Sequence, residues 1–220
     1  CFDAPGGTFR DALFDAYKAT RAAMPEELAL QVPLIWELVD ALEVPRFVEP
    51  GFEADDLIGA LAKQAEETTT DTDVVILSGD QDLLQLVTQR VNMLSPGRGD
   101  SPAKRFTPES MLEAYQFGPA QMIDYKALAG DSSDNTPGVC KKKKKTATEL
   151  LRIFSTIEEM YTALHTNDLK GIKPNLAAKL LDNEELARTC YKLATIATDA
   201  PITLNLNAAV LSLEKPEVLT

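Results

Sequence analysis

Acidic side chains fall in four groups along the chain: Asp3 just after Phe2, then Glu53, Asp55 and Asp56, then Asp80 and Asp82, then Asp131 and Asp134. Each group has an ordinary structural explanation. Asp and Glu in a first helical turn favour the helix macrodipole, Asp80 suits an N-cap, and Asp131-Ser-Ser-Asp134-Asn-Thr-Pro-Gly reads as an Asx-rich turn. What those explanations do not supply is a counter-charge. Carboxylates brought together repel and raise one another's pKa until a cation neutralises them, and a divalent metal is the economical cation. His165 is the only histidine, and Cys1, Cys140 and Cys190 are far apart and odd in number. Neither a zinc-type ligand set nor a disulfide framework is therefore provided for, and free thiols are expected. Hard oxygen donors select Mg2+ or Mn2+.

A second pattern bears on what such a metal site would act on. From Thr8 to Met24 no Gly or Pro interrupts the chain, which predicts a helix. At about 100° per residue, Arg10, Phe14, Tyr17 and Arg21 share one stripe, with Lys18 at its edge. Cations that meet phosphates beside aromatic rings that stack on bases suit nucleic acid, and Lys or Arg near a reacting phosphate stabilises charge as it develops. The plainer account is an amphipathic helix with solvated Arg and Lys. The acidic groups tip the choice toward substrate binding.

Elements must carry these side chains to one place. In open α/β sheets the ligand site lies beyond the carboxyl ends of the strands. Val74-Val75-Ile76-Leu77 is the clearest strand, and Asp80 and Asp82 follow it; Arg46-Phe47-Val48 is a weaker candidate, followed by Glu53, Asp55 and Asp56. Val91 to Leu94 is a third. Leu28, Val32, Ile35, Leu38, Val39 and Leu42 recur at helical spacing after Pro25, which predicts a helix with one face, Trp36 included, packed on the sheet. From about Pro119 the β pattern fades and helices are expected at 121–128, 147–154, 157–164 and 184–197, with Ser155 and Glu158 forming a capping box. The expected organisation is an α/β core over 1–117 and a helical subdomain over 118–220, without internal repeats.

The chain has 220 residues, 45% of them apolar and 25% charged, enough for one large or two small cores. No apolar run approaches the roughly 20 residues that span a bilayer, and the start lacks the layout of a secretory signal. The expectation is a cytoplasmic monomer without membrane contact. The net charge of −12 argues against nucleic-acid binding over the whole surface, which leaves local basic patches.

Taken in order, Phe2-Asp3-Ala, Thr8-Phe9-Arg10, Tyr17-Lys18-Ala-Thr-Arg21, Glu53-Ala-Asp55-Asp56, Gly79-Asp80-Gln-Asp82-Leu and Gly130-Asp131-Ser-Ser-Asp134-Asn-Thr-Pro-Gly-Val resemble the flap endonuclease family, in particular the 5′-3′ exonuclease domains of bacterial DNA polymerase I enzymes. Any one motif is weak; six in order are highly specific. The resemblance runs from Phe2 to about Leu206. It implies an α/β fold with a parallel-sheet 5′-nuclease (PIN-like) core and a C-terminal subdomain of helix-hairpin-helix type. It implies hydrolysis of DNA phosphodiesters at a 5′ flap or 5′ end, in replication and repair, with two Mg2+ (or Mn2+) ions. The implied metal ligands are Asp3, Glu53, Asp55, Asp56, Asp80, Asp82, Asp131 and Asp134. Arg10, Tyr17, Lys18 and Arg21 match substrate-handling residues, with Lys18 and Arg21 at the scissile phosphate in a catalytic role. A polymerase region that follows covalently is a further implied partner.

Two departures accompany the resemblance. The family places another strand, ending in a metal-site aspartate, roughly fifty residues before the position of Asp3, so the core is expected to lack its first strand. After Gly138-Val139 the family has a glycine-rich turn that lets a backbone approach phosphate, where this chain has Cys140 and Lys141 to Lys145. Lysines do not reproduce that geometry, although the run carries point charges that attract phosphate. A DNA-junction binding module that keeps the fold without catalysis is the alternative, marked by binding without turnover. A metal-stabilised structural domain is a third, marked by chelator-sensitive melting without affinity for flaps.

Overall fold

A computed structural model describes residues 1–68, 71–97, 99, 101–140 and 143–210. Four consecutive aliphatic residues, three of them β-branched, make strand β1 (Val74–Leu77), as their stiff side chains favour extended backbone. Strand β2 (Val91–Ser95) runs parallel to it, with Val74 opposite Val91 and Leu77 opposite Leu94. Strand β3 (Lys104–Phe106) pairs antiparallel to β2, with Met93 opposite Phe106. The strand order is β1-β2-β3, so among the described residues β1 is paired on one side only. The third strand, absent from the sequence expectation, makes the sheet mixed rather than wholly parallel.

The helices begin with α1 (Phe9–Leu13), α2 (Glu26–Ala29), α3 (Val32–Ala41) and α4 (Ala54–Thr68). After the sheet come α5 (Pro108–Tyr115), α6 (Met122–Ala129), α7 (Lys144–Ile153), α8 (Ile157–His165), α9 (Pro174–Asp182) and α10 (Glu184–Ala194). One hydrophobic cluster joins Ile76, Leu84 and Met93 around the sheet to Leu128, Phe154, Tyr161 and Leu180 of the helical half. A smaller one packs Phe47, Phe52 and Ile202 around Leu57, Ala60 and Ala200. Cys1, Cys140 and Cys190 are free thiols. Among the described residues no helix is long and apolar enough to cross a membrane.

Several sequence expectations are corrected. Arg46-Phe47-Val48 forms no strand; Phe47 contributes one carbonyl, which accepts a hydrogen bond from the Phe2 amide at 3.0 Å. The helix expected from Thr8 to Met24 ends at Leu13, where Phe14 turns extended and Lys18 adopts a left-handed φ of 53°. Burial of the Tyr17 ring overrides local propensity there. The segment after Pro25 is helical, but α3 has no buried residue, and Leu34, Ile35 and Leu38 stand exposed rather than on the sheet. Trp36 instead meets the Phe2 ring edge-on at 5.8 Å and lies under the Arg46 guanidinium. Helical periodicity identifies an apolar face and says nothing of what covers it.

The expected Ser155–Glu158 capping box does not form; Thr156 is the cap, its hydroxyl accepting from the Glu159 amide, while the Glu159 carboxylate accepts from the Ser155 amide, both at 3.1 Å. Of the lysine run, Lys141 and Lys142 lie outside the described residues. Lys144 and Lys145 open α7 and are exposed.

Candidate metal centre

Helix α4 supplies the floor of the site. Its first turn opens with Glu53-Ala54-Asp55-Asp56, and the Ala54 amide donates to Asp3 Oδ1 at 2.7 Å, so Asp3 caps the helix from a distant part of the chain. Beyond the carboxyl end of β1, Ser78-Gly79 leads to Asp80, whose carboxylate accepts from the Asp82 amide at 2.9 Å and caps the 3-10 turn Gln81–Leu86. The third contribution is the loop after α6. Gly130, at φ 78°, and Gly138, at φ 61°, fold it back on itself, and a Cβ at Gly138 would lie 2.1 Å from the Gly130 nitrogen. Within the loop Asp131 and Thr136 exchange backbone hydrogen bonds of 2.9 and 2.8 Å. The loop also braces the segment after α1, because the Lys18 amide donates to the Asp134 carbonyl and Asn135 Nδ2 donates to the Ala16 carbonyl.

These parts close around a cavity of about 130 Å³ lined by Asp3, Glu53, Asp55, Asp80, Asp82 and Asp134 together with Arg10, Tyr17, Lys18 and Arg21. Asp131 faces an adjoining cavity of about 380 Å³ instead, with Gln81, Tyr115, Tyr125, Lys126 and Lys144. Asp56 faces neither. It is fully buried and accepts from both terminal nitrogens of Arg10 at 2.7 Å, from the Glu53 amide at 3.0 Å and from the Ala197 amide at 2.8 Å. With its oxygens so occupied, Asp56 ties the start of α4 to α1 and to the segment after α10. Arg10 is 2% exposed and also donates to the carbonyls of Leu193 and Thr195. It ties α1 to the end of α10.

Basic side chains hold Glu53, Asp82, Asp131 and Asp134. Lys18 Nζ lies 2.6 Å from Glu53 Oε1 and an Arg21 nitrogen 2.6 Å from Asp134 Oδ1, while the Tyr17 hydroxyl donates to Glu53 at 3.3 Å. The Tyr17 ring is buried, whereas the Arg21 side chain is 47% exposed. Lys126 forms ion pairs with both Asp82 and Asp131. Sequence reasoning missed Lys126; its only local signal is a cation five residues before Asp131 in the last turn of α6.

Electrostatics distinguishes the parts. Burial, then Asp80 and Glu53, push the Asp55 carboxyl up to about 6, with Lys18 pulling the other way. Burial alone would raise Asp131 as well, but Lys126 and then Ser133 outweigh it and hold that carboxyl down at about 2. Asp55 is thus where carboxylates crowd without enough positive charge, the condition a divalent cation relieves. Among the described residues no three acidic, cysteine or histidine side chains converge tightly enough to grip a metal as they stand, with Glu53, Asp82 and Asp134 turned toward Lys and Arg and Asp3 and Asp80 toward backbone amides. The donor set is all hard oxygen and fits Mg2+ or Mn2+ once those basic groups give way.

Residues 1–116 match the family described as 5′-3′ exonuclease, N-terminal resolvase-like domain, and residues 117–217 match 5′-3′ exonuclease, C-terminal SAM fold. The DNA polymerase I of Lactococcus lactis is 39% identical over 219 residues, covering 100% of this chain and 24% of that protein. The chain therefore spans about a quarter of the length of such relatives. A 5′-3′ exonuclease from Buchnera aphidicola is 37% identical over 96% of this chain and 72% of its own length. Among solved structures, the bacteriophage T5 5′-exonuclease with bound divalent zinc ions aligns with a TM-score of 0.69 and 26% identity, over 89% of this chain and 73% of that one. The T5 flap endonuclease in complex with DNA and metal ions aligns with a TM-score of 0.68 and 25% identity, over 89% and 72%.

Proposed function

The chain belongs to the 5′-3′ exonuclease family, and from that premise we propose that it hydrolyses phosphodiesters in DNA near a 5′ end or 5′ flap, using two divalent ions, Mg2+ or Mn2+. The observation that carries this reading is the cavity in which Asp3, Glu53, Asp55, Asp80, Asp82 and Asp134 from separate segments converge beside Lys18 and Arg21. Bound divalent ions would activate water and neutralise the phosphate. Asp3, Glu53, Asp55, Asp80 and Asp82 would hold one ion, and Asp131 and Asp134 would help to hold the other. Asp56 orients Glu53 through its amide and anchors Arg10. Lys18 and Arg21, the two cations with side chains open to solvent at the cavity, swing from Glu53 and Asp134 to the phosphate oxygens. Residues 1–117 act as the nuclease core and 118–220 as the part that grips the DNA backbone. In proteins of the polymerase I layout the nuclease works beside a covalently attached polymerase.

Incubation with a 5′-flap duplex, with Mg2+ or with chelator, tests this. Metal-dependent release of the flap is expected. Binding without turnover would replace the reading with a junction-binding module, and metal-independent cutting would overturn it.

A further inference from the structure

Lys126 lies with Asp131 in the wall of the adjoining cavity and is largely enclosed. Helix α6 carries it in its last turn, and the left-handed Gly130 turns the chain so that Asp131 folds back over its ammonium. Asp82, from the 3-10 turn after β1, closes on it from the other side. All three side chains are largely out of water, at 14%, 17% and 18% exposure for Lys126, Asp82 and Asp131. An ammonium in that position needs negative partners, and these two carboxylates provide them. The second Asp131 oxygen accepts from the Ser133 amide at 2.7 Å. Asp131 is therefore engaged at both oxygens, and a cation approaching Oδ2 meets the Lys126 ammonium already paired there. The Lys18 and Arg21 side chains, 25% and 47% exposed, are free to turn toward a substrate; Lys126 is enclosed.

We propose that Lys126 is the built-in counter-cation of the site, a positioning residue that clasps Asp82 to Asp131 in the metal-free protein and competes with divalent metal for Asp131. The clasp joins the carboxylates of the two halves of the chain before any ion arrives, and it sets the metal concentration at which the site fills. This rests on the metal reading above, and the two fail separately in the following experiment.

Mn2+ binding is measured by calorimetry on the whole chain, with melting followed by circular dichroism. Lys126→Met removes the charge and keeps the length. Its Mn2+ dissociation constant is expected to fall by about tenfold or more, the scale of a lost charge-assisted hydrogen bond, while metal-free melting drops. Lys126→Arg keeps the charge and stays within about threefold of the parent. If Lys126→Met is unfolded without metal, Mn2+ is expected to restore its helical signal. A residue that only props up the fold would weaken metal binding when removed, so the direction of the change discriminates. A folded Lys126→Met protein that binds Mn2+ no more tightly than the parent overturns the proposal, as does an unfolded one that Mn2+ does not rescue. A parent chain that binds no Mn2+ overturns the metal reading itself.

Discussion

Replacing Asp56 by alanine separates its structural task from that of the neighbouring Asp55. Asp56 is fully buried, and the substitution would strip an acceptor from the 2%-exposed Arg10 guanidinium and from the amides of Glu53 and Ala197. Breaking a buried ion pair by deleting one partner costs about 3–5 kcal/mol, because the remaining charge is left uncompensated out of water. In a chain of this size about 1 kcal/mol moves the melting temperature about 2–4 °C, so a fall of about 6–20 °C is expected. Asp55→Ala, by contrast, removes a carboxylate that burial and like charge already disfavour, and its metal-free stability should stay within about 0.5 kcal/mol of the parent or rise. Thermal melts of both variants in chelator decide the matter. The double replacement Arg10→Met with Asp56→Leu should regain only the part due to the uncompensated charge, since the Glu53 and Ala197 amides and the Leu193 and Thr195 carbonyls stay without their partners. An Asp56→Ala protein that melts with the parent, or an Asp55→Ala protein that collapses, would refute the assignment.

Asp55 also makes the metal-free protein pH-sensitive. Its folded pKa of about 6 lies above the unfolded value near 3.9, so the folded state binds the extra proton and stability falls as pH rises from about 4 to about 6. Asp55→Asn or saturating Mg2+ should flatten that slope in urea titrations at stepped pH. Asp131 has the opposite sign: held at about 2, it stabilises above its unfolded pKa, and that contribution is lost as pH falls toward 2. Lys18→Ala should lower kcat on a 5′-flap duplex by about 100-fold or more while melting stays near the parent, because a partly exposed ion pair adds little stability. Gly138→Ala should destabilise the Asp131 loop, since its left-handed φ and the 2.1 Å approach to Gly130 leave no room for a Cβ; a lowered melting temperature with weakened flap binding is the expected pair of readouts.

What was legible in the sequence was chiefly local. Val74–Leu77 announces a strand through β-branched side chains, and Asp80 announces a cap through its place after Ser-Gly. Helices α6, α8 and α10 lie close to the expected segments, and in α8 the Thr156 cap and the apolar period agree with burial. The clustering of the acidic groups was readable only through their order along the chain. The rest depends on distant partners. Nothing near Tyr17 reveals that its ring is buried between Glu53 and Asp134 and breaks the helix expected there. Asp56 looks like its neighbour Asp55 until Arg10, forty-six residues earlier, and Ala197 are brought against it. Lys126 finds Asp131 only because Gly130 reverses the chain between them. The apolar period of α3 was equally plain, yet it predicted a contact with the sheet that the helix does not make.

The central claim is that carboxylates from both halves of the chain hold the ions that cut DNA. Its most direct test is the rate of 5′-flap cleavage in Mg2+ by the parent protein and by the Asp131→Ala, Asp134→Ala double variant, each checked for folding by circular dichroism. The account predicts metal-dependent cleavage by the parent and its loss, by about 100-fold or more, in a folded double variant. Cleavage by the folded double variant at the parental rate, or cleavage by either protein in excess chelator, would contradict it.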